Sequence, residues 1–332
     1  MNVTGKRIFV GLSGGVDSGV SAALLKDQGA EVTGVFIKGW YPPGMPCTWA
    51  SERRDAMRVA ARLQIPFTTL DASAEYKRGV IEYLVNEYRA GRTPNPDVMC
   101  NREVKFGAFY RFAKESGADA IATGHYRSGE KDQSYFLWAV PKEALEYTVF
   151  PVGHLEKGAV RVLAKKYNLP VALKKDSQGI CFLGSISVEE FLMREFGIHR
   201  GRAVDEEGNT VGMHNGVLLS TIGQRVSLMG TEEGPWFVES KDLEKNELVV
   251  TKGRLGDRRN TNGLIQFTSP NWLSDVGQID GAQYRYRGAL IPGRVINDIF
   301  VASAGLPETP APGQSLAFYH GTELVGGGII TV

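Results

Sequence analysis

Apolar positions in the first 125 residues switch repeatedly between a two-residue and a helical period. Residues 7–12 are a β-branched and aromatic run ending among glycines. Residues 18–28 follow with Val20, Ala23 and Leu24 at helical spacing and Gly29 as a stop. Residues 32–37 predict a second buried strand, residues 51–63 a helix with Ala56, Val59, Ala60 and Leu63 on one face, and residues 67–70 a third strand. Tyr76, Val80, Leu84 and Tyr88 recur every fourth residue, which predicts a long helix ending at Gly91, and residues 120–123 predict a strand running into Gly124 and His125. Strands separated by helices predict an α/β fold, a Rossmann-like, doubly wound parallel sheet. Such sheets take ligands beyond the carboxyl ends of their strands.

The pattern changes after about residue 195. Glycine becomes frequent and short strand-like runs stand between turn signals at 205–208 and 246–247. From about residue 258 the runs are almost wholly β, at 263–267, 283–286, 315–319 and 328–332. These spacings predict three parts: a catalytic domain over 1–195, a small central domain over 196–257, and a C-terminal β-barrel of Greek-key kind over 258–332.

Length agrees, since 332 residues exceed what one core usually holds. Hydrophobic content of 42% with 23% charge is ordinary for a soluble globular protein. No apolar run approaches the roughly 18 residues of a membrane helix, and the N-terminus does not read as a signal peptide, so no membrane partner and a cytoplasmic location are expected. A net charge of +1 gives no global nucleic-acid footprint. Basic clusters at Lys165, Lys166, Lys174 and Lys175, at Arg194, Arg200 and Arg202, and at Lys252, Arg254, Arg258 and Arg259 read singly as solvated faces. Three cysteines, Cys47, Cys100 and Cys181, argue against a disulfide framework, and the absence of a C-x-x-C pair argues against a zinc knuckle.

The first concentrated chemistry is Gly11, Leu12, Ser13, Gly14, Gly15, Val16, Asp17 and Ser18, between the first strand and the first helix. Backbone amides in such a turn surround phosphate oxygens, and the helix N-terminus adds its dipole. The run has neither the G-K-[ST] ending of a Walker loop nor the G-x-G-x-x-G spacing of a dinucleotide site. It resembles the SGGxDS loop of the PP-loop ATP pyrophosphatases, which cleave ATP to AMP and pyrophosphate and attach AMP to a substrate oxygen. The loop leaves open a GMP or NAD synthetase, an argininosuccinate synthetase, another amide synthetase or a tRNA-modifying enzyme. A module that only holds ATP is a non-catalytic alternative.

Two further segments carry cysteines. In GRTPNPDVMCNREVKFG, two prolines stiffen a loop ahead of a helix predicted to start near Arg102, which puts Cys100 near a helix N-terminus, where a thiol is activated. In DSQGICFLG, Cys181 lies on a glycine-flanked loop. Cys47 follows the turn of residues 41–44 and reads as a small buried hydrophobe. Together with IATGHY, KDQSYFLW, TIGQR and APGQSLAFY, in this order along the chain, the segments resemble the MnmA (TrmU) family of tRNA-specific 2-thiouridylases.

That resemblance implies an enzyme that uses ATP and Mg²⁺ to adenylate the C2 oxygen of the wobble uridine in the tRNA anticodon loop, then replaces it with sulfur. It implies Cys181 as the persulfide carrier, loaded by a cysteine desulfurase or a sulfur-relay protein. Cys100 is implied as its catalytic partner in a transient disulfide, and Asp97 as the general acid/base. By matching motif, Asn95, Pro96 and Asp97 meet the target base. His125, Lys131, Asp132, Gln133, Arg285, Tyr286 and Gln314 meet tRNA, and Ile37 and Gly124 line the ATP site. Asp17 is a Mg²⁺ ligand on this reading. An iron–sulfur cluster on Cys100, Cys181 and Asp97 is the less favoured alternative to a persulfide pair, because the cysteines are not closely spaced.

Overall fold

A computed structural model of the chain describes residues 2–44, 48–175, 186–253 and 262–331. The chain divides into two compact units, Met1–Ile81 with Pro96–Ile186 and Glu82–Asn95 with Ser187–Val332.

The first unit is built on five parallel strands, β1 (Arg7–Gly11), β2 (Glu31–Lys38), β3 (Phe67–Asp71), β4 (Ala120–Ala122) and β5 (Thr148–Val149), in the order β3-β2-β1-β4-β5. Helices α1 (Val16–Asp27) and α2 (Trp49–Leu63) connect the first three strands. Further along come α3 (Ser73–Tyr76), α4 (Tyr83–Arg89), α5 (Pro96–Cys100), α6 (Phe109–Glu115), α7 (Lys142–Glu146) and α8 (Lys157–Lys166); of these, α4 belongs to the second unit. Ile8, Val10, Val32 and Ala122 of the sheet share one core with Val20 and Ala23 of α1, Val59 and Ala60 of α2, and Val160 and Ala164 of α8. Each fully buried valine or isoleucine there stabilises the unit by roughly 1.5–3 kcal/mol. The strand order runs outward from β1 through β2 and β3, then restarts on its other side with β4, so the crevice of the doubly wound sheet lies between β1 and β4.

The long helix predicted to end at Gly91 is observed as α3, a π-helical stretch Lys77–Glu82, and α4. A strict four-residue apolar repeat outruns the 3.6-residue α-helical turn, and the wider π turn takes up the difference. A second π stretch, Asn101–Ala108, joins α5 to α6.

In the second unit, α9 (Val188–Phe196) opens with a capping box, the Ser187 hydroxyl accepting from the Glu190 amide while the Glu190 carboxylate accepts from the Ser187 amide. A sheet of order β7-β6-β10-β9-β8 follows, from β6 (Gly201–Val204), β7 (Thr210–His214), β8 (Arg225–Val226), β9 (Trp236–Asp242) and β10 (Glu247–Thr251). Trp236, Val238, Leu248 and Val250 fill its core. Last comes a closed barrel of β11 (Leu264–Trp272), β12 (Gly281–Gln283), β13 (Ile291–Ile296), β14 (Ile299–Ala302), β15 (Ser315–His320) and β16 (Glu323–Ile330). Its order, β11-β14-β13-β12-β15-β16, sets the first strand beside the fourth, the Greek-key connection expected from the sequence. Phe318 anchors the interior, 4.9 Å from Phe267 and stacked at 5.4 Å on Trp272. The strand predicted over 283–286 is instead β12, which ends at Gln283; the chain then turns, with Arg287 in the left-handed region at φ 60°. No described helix is long and apolar enough to cross a membrane.

The stretch Glu82–Asn95 is tied into this second unit by its own contacts. The Thr93 amide donates to the Pro312 carbonyl (2.8 Å), the Gln314 side-chain amide donates to the Thr93 carbonyl (2.7 Å), and the Thr93 and Thr221 hydroxyls meet at 3.2 Å. Within the stretch, Arg92 grips Glu87 through two bonds of 2.6 Å.

Candidate active site

Residues 11–18 lie where the fold predicts a ligand, between β1 and α1 at the reversal of strand order. Gly15 is the N-cap of α1 and no side-chain cap bond closes the helix start, which leaves first-turn amides for a ligand, while the Gly15 amide itself donates to the Ser13 hydroxyl at 3.3 Å. The loop is braced from inside. Ser18 accepts from the Ser13 amide and donates to the Gly15 carbonyl, both at 3.3 Å, and the two hydroxyls meet at 3.2 Å. Gly14 has φ 74°, and a Cβ there would lie 2.4 Å from the Glu52 carbonyl oxygen of α2. Gly124, just past β4, backs against α1: its Cβ would lie 2.9 Å from the Ser18 nitrogen. Ile37, near the end of β2, is buried beside Gly11. The ATP-site residues expected from the sequence, Gly11 to Ser18 with Ile37 and Gly124, therefore converge at one end of one sheet.

Three side chains that sequence reasoning passed over complete this end. Lys157, the first residue of α8, places its Nζ 2.7 and 2.8 Å from the two Asp17 carboxylate oxygens, and the Tyr126 hydroxyl donates to Asp17 Oδ1 at 2.7 Å. Lys174 donates to the Gly14 carbonyl (3.0 Å) and to Asp55 Oδ2 (2.8 Å). Lys174 had read as part of a solvated cluster, and no local motif marks Lys157 or Tyr126. The Asp17 carboxylate, expected to hold Mg²⁺, is engaged by an ammonium and a phenol. Among the described residues no three of His, Cys, Asp or Glu are grouped to hold a metal ion, and Cys181 of the expected cluster set lies outside them.

Cys100 differs from its expected setting. The helix starts at Pro96, not near Arg102, because proline suits the first helical position, where its missing N–H costs nothing. Asp97 is then the acidic residue of the first turn, and Cys100 closes that turn fully buried rather than standing ahead of the helix on a loop. The neighbouring Asn101 amide donates to the Phe136 carbonyl (3.0 Å), tying the segment after Gln133 to the cysteine helix. Cys181, its pairing with Cys100, and Cys47 lie outside the described residues. Asn95 ends the stretch of the second unit, and Pro96 resumes the first.

Several residues expected to meet tRNA have their polar groups committed within the protein. His125 is buried between Phe106 and Phe150, with Nδ1 2.9 Å from the Thr123 hydroxyl. Burial above all, with Lys105 and Arg127 nearby, holds its imidazole well below the usual histidine range. The unfolded chain therefore binds a proton below pH about 6.5 that the folded chain refuses. Stability is complete above that pH and falls with acidification by up to about 1.4 kcal/mol per pH unit. His125→Gln flattens this part of the slope in denaturant titrations between pH 5 and 7; parallel slopes for the two proteins would reject the assignment.

Asp132 Oδ1 accepts from the Ser134 amide (2.7 Å), and Gln133 clasps Tyr126 through two backbone contacts, accepting from its amide at 3.1 Å and donating to its carbonyl at 2.9 Å. Lys131 and Tyr286 are half-buried, while Arg285 is exposed and pairs with Glu308 at 2.7 Å. Gln314 is occupied with Thr93. Its truncation in Gln314→Ala leaves the buried Thr93 carbonyl without that donor. The expected loss is about 1–3 kcal/mol in global unfolding. Unchanged unfolding would show that water replaces the bond.

Three family profiles match successive parts of the chain. They are the tRNA methyl transferase HUP domain over residues 6–185, the tRNA methyl transferase PRC-barrel domain over 189–252, and the aminomethyltransferase beta-barrel domain over 264–330. The tRNA-specific 2-thiouridylase MnmA of Streptococcus sanguinis is 41% identical over 354 residues, covering 98% of this chain and 95% of its own. The protein of the same name from Neisseria meningitidis is 42% identical over 356 residues, covering 99% and 97%. Among solved structures, the U34-tRNA thiolase NcsA from Methanococcus maripaludis covers 59% of this chain and 68% of its own, at TM-score 0.39 and 16% identity. With such identity sustained over nearly its whole length, the chain belongs to the family of tRNA-specific 2-thiouridylases named MnmA.

Proposed function

We propose that the chain is an ATP-dependent tRNA-uridine 2-sulfurtransferase acting on the wobble uridine, U34. The observation that carries this reading is the match at about 41% identity to proteins named tRNA-specific 2-thiouridylase, spanning 98% of the chain. The uncapped glycine loop at the crevice of the sheet supports the ATP half of it. The three matched profiles part between residues 185 and 189 and between 252 and 264, the first ahead of the 195 expected from the sequence.

A C2 carbonyl oxygen is a poor leaving group. With the phosphates held on the α1 amides, uridine O2 bonds to the α-phosphorus of ATP and pyrophosphate leaves with the electron pair. Asp97 takes the N3 proton in this step and returns it when the thiocarbonyl forms. Cys181, loaded as a persulfide by a cysteine desulfurase or sulfur-relay protein, adds its terminal sulfur at C2, and AMP departs with the oxygen. The Cys100 thiolate then attacks the inner Cys181 sulfur, the old S–S bond breaks, and its electron pair stays on the sulfur now double-bonded to C2. The resulting Cys100–Cys181 disulfide takes two electrons and two protons from two external thiols, which leave joined as a disulfide of their own. No step is assigned to a metal held by the protein. The exposed or half-buried Lys131, Arg285 and Tyr286 meet RNA together with Asn95 and Pro96. His125, Asp132, Gln133 and Gln314 shape the surfaces that do so. A base of the single-stranded anticodon loop is splayed out for recognition at modest cost.

The test is mass spectrometry of tRNA nucleosides after incubation with ATP, Mg²⁺, a persulfide donor and unmodified tRNA. The reading requires 2-thiouridine and tRNA-dependent pyrophosphate. Pyrophosphate release with ammonia and without tRNA would move the chain to the amide synthetases.

A further inference from the structure

Residues 11–18 contain one anion, Asp17, and no cation. A Walker loop brings its own lysine to the phosphates, and this loop does not. A helix N-terminus supplies only about half a positive charge, which Asp17 in the first turn of α1 opposes when the ligand is an anion. The missing cation stands beside it: the Lys157 ammonium bridges both Asp17 oxygens, with its side chain only 15% exposed. The Tyr126 ring lies 5.9 Å from the same ammonium, and the Tyr126 hydroxyl fixes Asp17 from the other side. Lys157 is also the first residue of α8, the end of a helix where a positive charge is disfavoured. Nothing in α8 itself calls for a lysine there.

We propose that Lys157 is the cation that neutralises the departing pyrophosphate, with Asp17 and Tyr126 holding it beside the loop until nucleotide arrives. The proposal rests on the ATP-cleaving reading above. As the bond between the α-phosphorus and the bridging oxygen breaks, that oxygen keeps the electron pair and Lys157 hydrogen-bonds the growing charge. No proton need move. The other ammonium at the loop, Lys174, is engaged by Gly14 and Asp55 and serves the loop's shape.

The competing role for Lys157 is to offset Asp17 and nothing more. Equilibrium binding of radiolabelled inorganic pyrophosphate separates the two without depending on turnover, in wild type, Lys157→Met, Asp17→Asn and the double variant, each first checked for a cooperative thermal transition. Lys157→Met weakens pyrophosphate binding by about tenfold or more, and Lys157→Arg recovers part of it. It also lowers kcat for tRNA-dependent pyrophosphate release by roughly 10²-fold, with a smaller change in KM for ATP. The double variant stays weak, because removing Asp17 does not restore a cation. Wild-type affinity in Lys157→Met, or its return in the double variant, overturns the proposal. If wild-type protein binds pyrophosphate through Lys157 yet forms no 2-thiouridine, this inference stands and the proposed function fails. If wild type thiolates tRNA while Lys157→Met binds pyrophosphate normally, the reverse holds.

Discussion

Cys100→Ser yields tRNA without 2-thiouridine when sulfur is offered as a persulfide, a loss of at least roughly 10³-fold, as for removal of a nucleophile that acts as part of a unit. Serine is nearly isosteric, so the fully buried site in α5 keeps its shape while losing the thiolate. The partial reaction discriminates: adenylation precedes sulfur transfer, so tRNA-dependent AMP and pyrophosphate formation in the first turnover stays within a few-fold of wild type. Cys181→Ser also leaves tRNA unthiolated and still forms pyrophosphate in the first turnover, but its AMP stays on the uridine oxygen, because no persulfide adds at C2 to expel it. Nucleoside mass spectrometry and a quenched first-turnover assay of AMP and pyrophosphate give both readouts. Full thiolation by either variant with a persulfide donor would remove the cysteine pair from the mechanism. Loss of both thiolation and AMP formation would instead point to a structural role for Cys100, and Cys100→Ala would then share the defect in unfolding experiments.

Gly14→Ala carries the second large effect. At φ 74° a side chain costs about 1–2 kcal/mol in backbone strain. The new Cβ would also sit 2.4 Å from the Glu52 carbonyl oxygen, so either the loop or the first turn of α2 must shift. Forced overpacking adds about 1–3 kcal/mol. ATP affinity falls at least about tenfold, because displaced loop amides no longer converge on the phosphates. Gly15→Ala is the control: at φ −94° a Cβ would meet only the Ser13 hydroxyl, at 3.3 Å. Denaturant unfolding and ATP binding by equilibrium dialysis read both. Matching behaviour of the two variants would mean that Gly14 is not where the loop's shape is decided.

Much of the first unit was legible because its inner strands β1, β2 and β4 are largely buried, and so appear as apolar runs between helices. The glycine loop was legible because its chemistry is contiguous in sequence. The barrel was legible as a class, and its Greek-key connection follows from the expected kind, but the end of β12 was not. Tyr284 and Tyr286 look like strand residues, yet the chain turns there. The start of α5 was missed because the two prolines around Asn95 read as loop stiffeners, whereas Pro96 opens a helix. Lys157 and Tyr126 were illegible for a different reason. A carboxylate is engaged by whatever the fold brings to it, and these two partners reach Asp17 from more than a hundred positions away. Nor does residue type reveal that His125, Asp132, Gln133 and Gln314 satisfy internal backbone or side-chain groups, since the same polar atoms would serve RNA as well.

The stretch Glu82–Asn95 has a consequence for recombination between relatives. In sequence it interrupts the first unit, but its helix and loop pack with residues 187–332, through Thr221, Pro312 and Gln314. A crossover at Ser187 would therefore pair this stretch from one parent with the partners of another and break contacts that had diverged together. Heredity should treat residues 82–95 and 187–332 as one linkage group. Surviving hybrids are those that exchange both pieces at once.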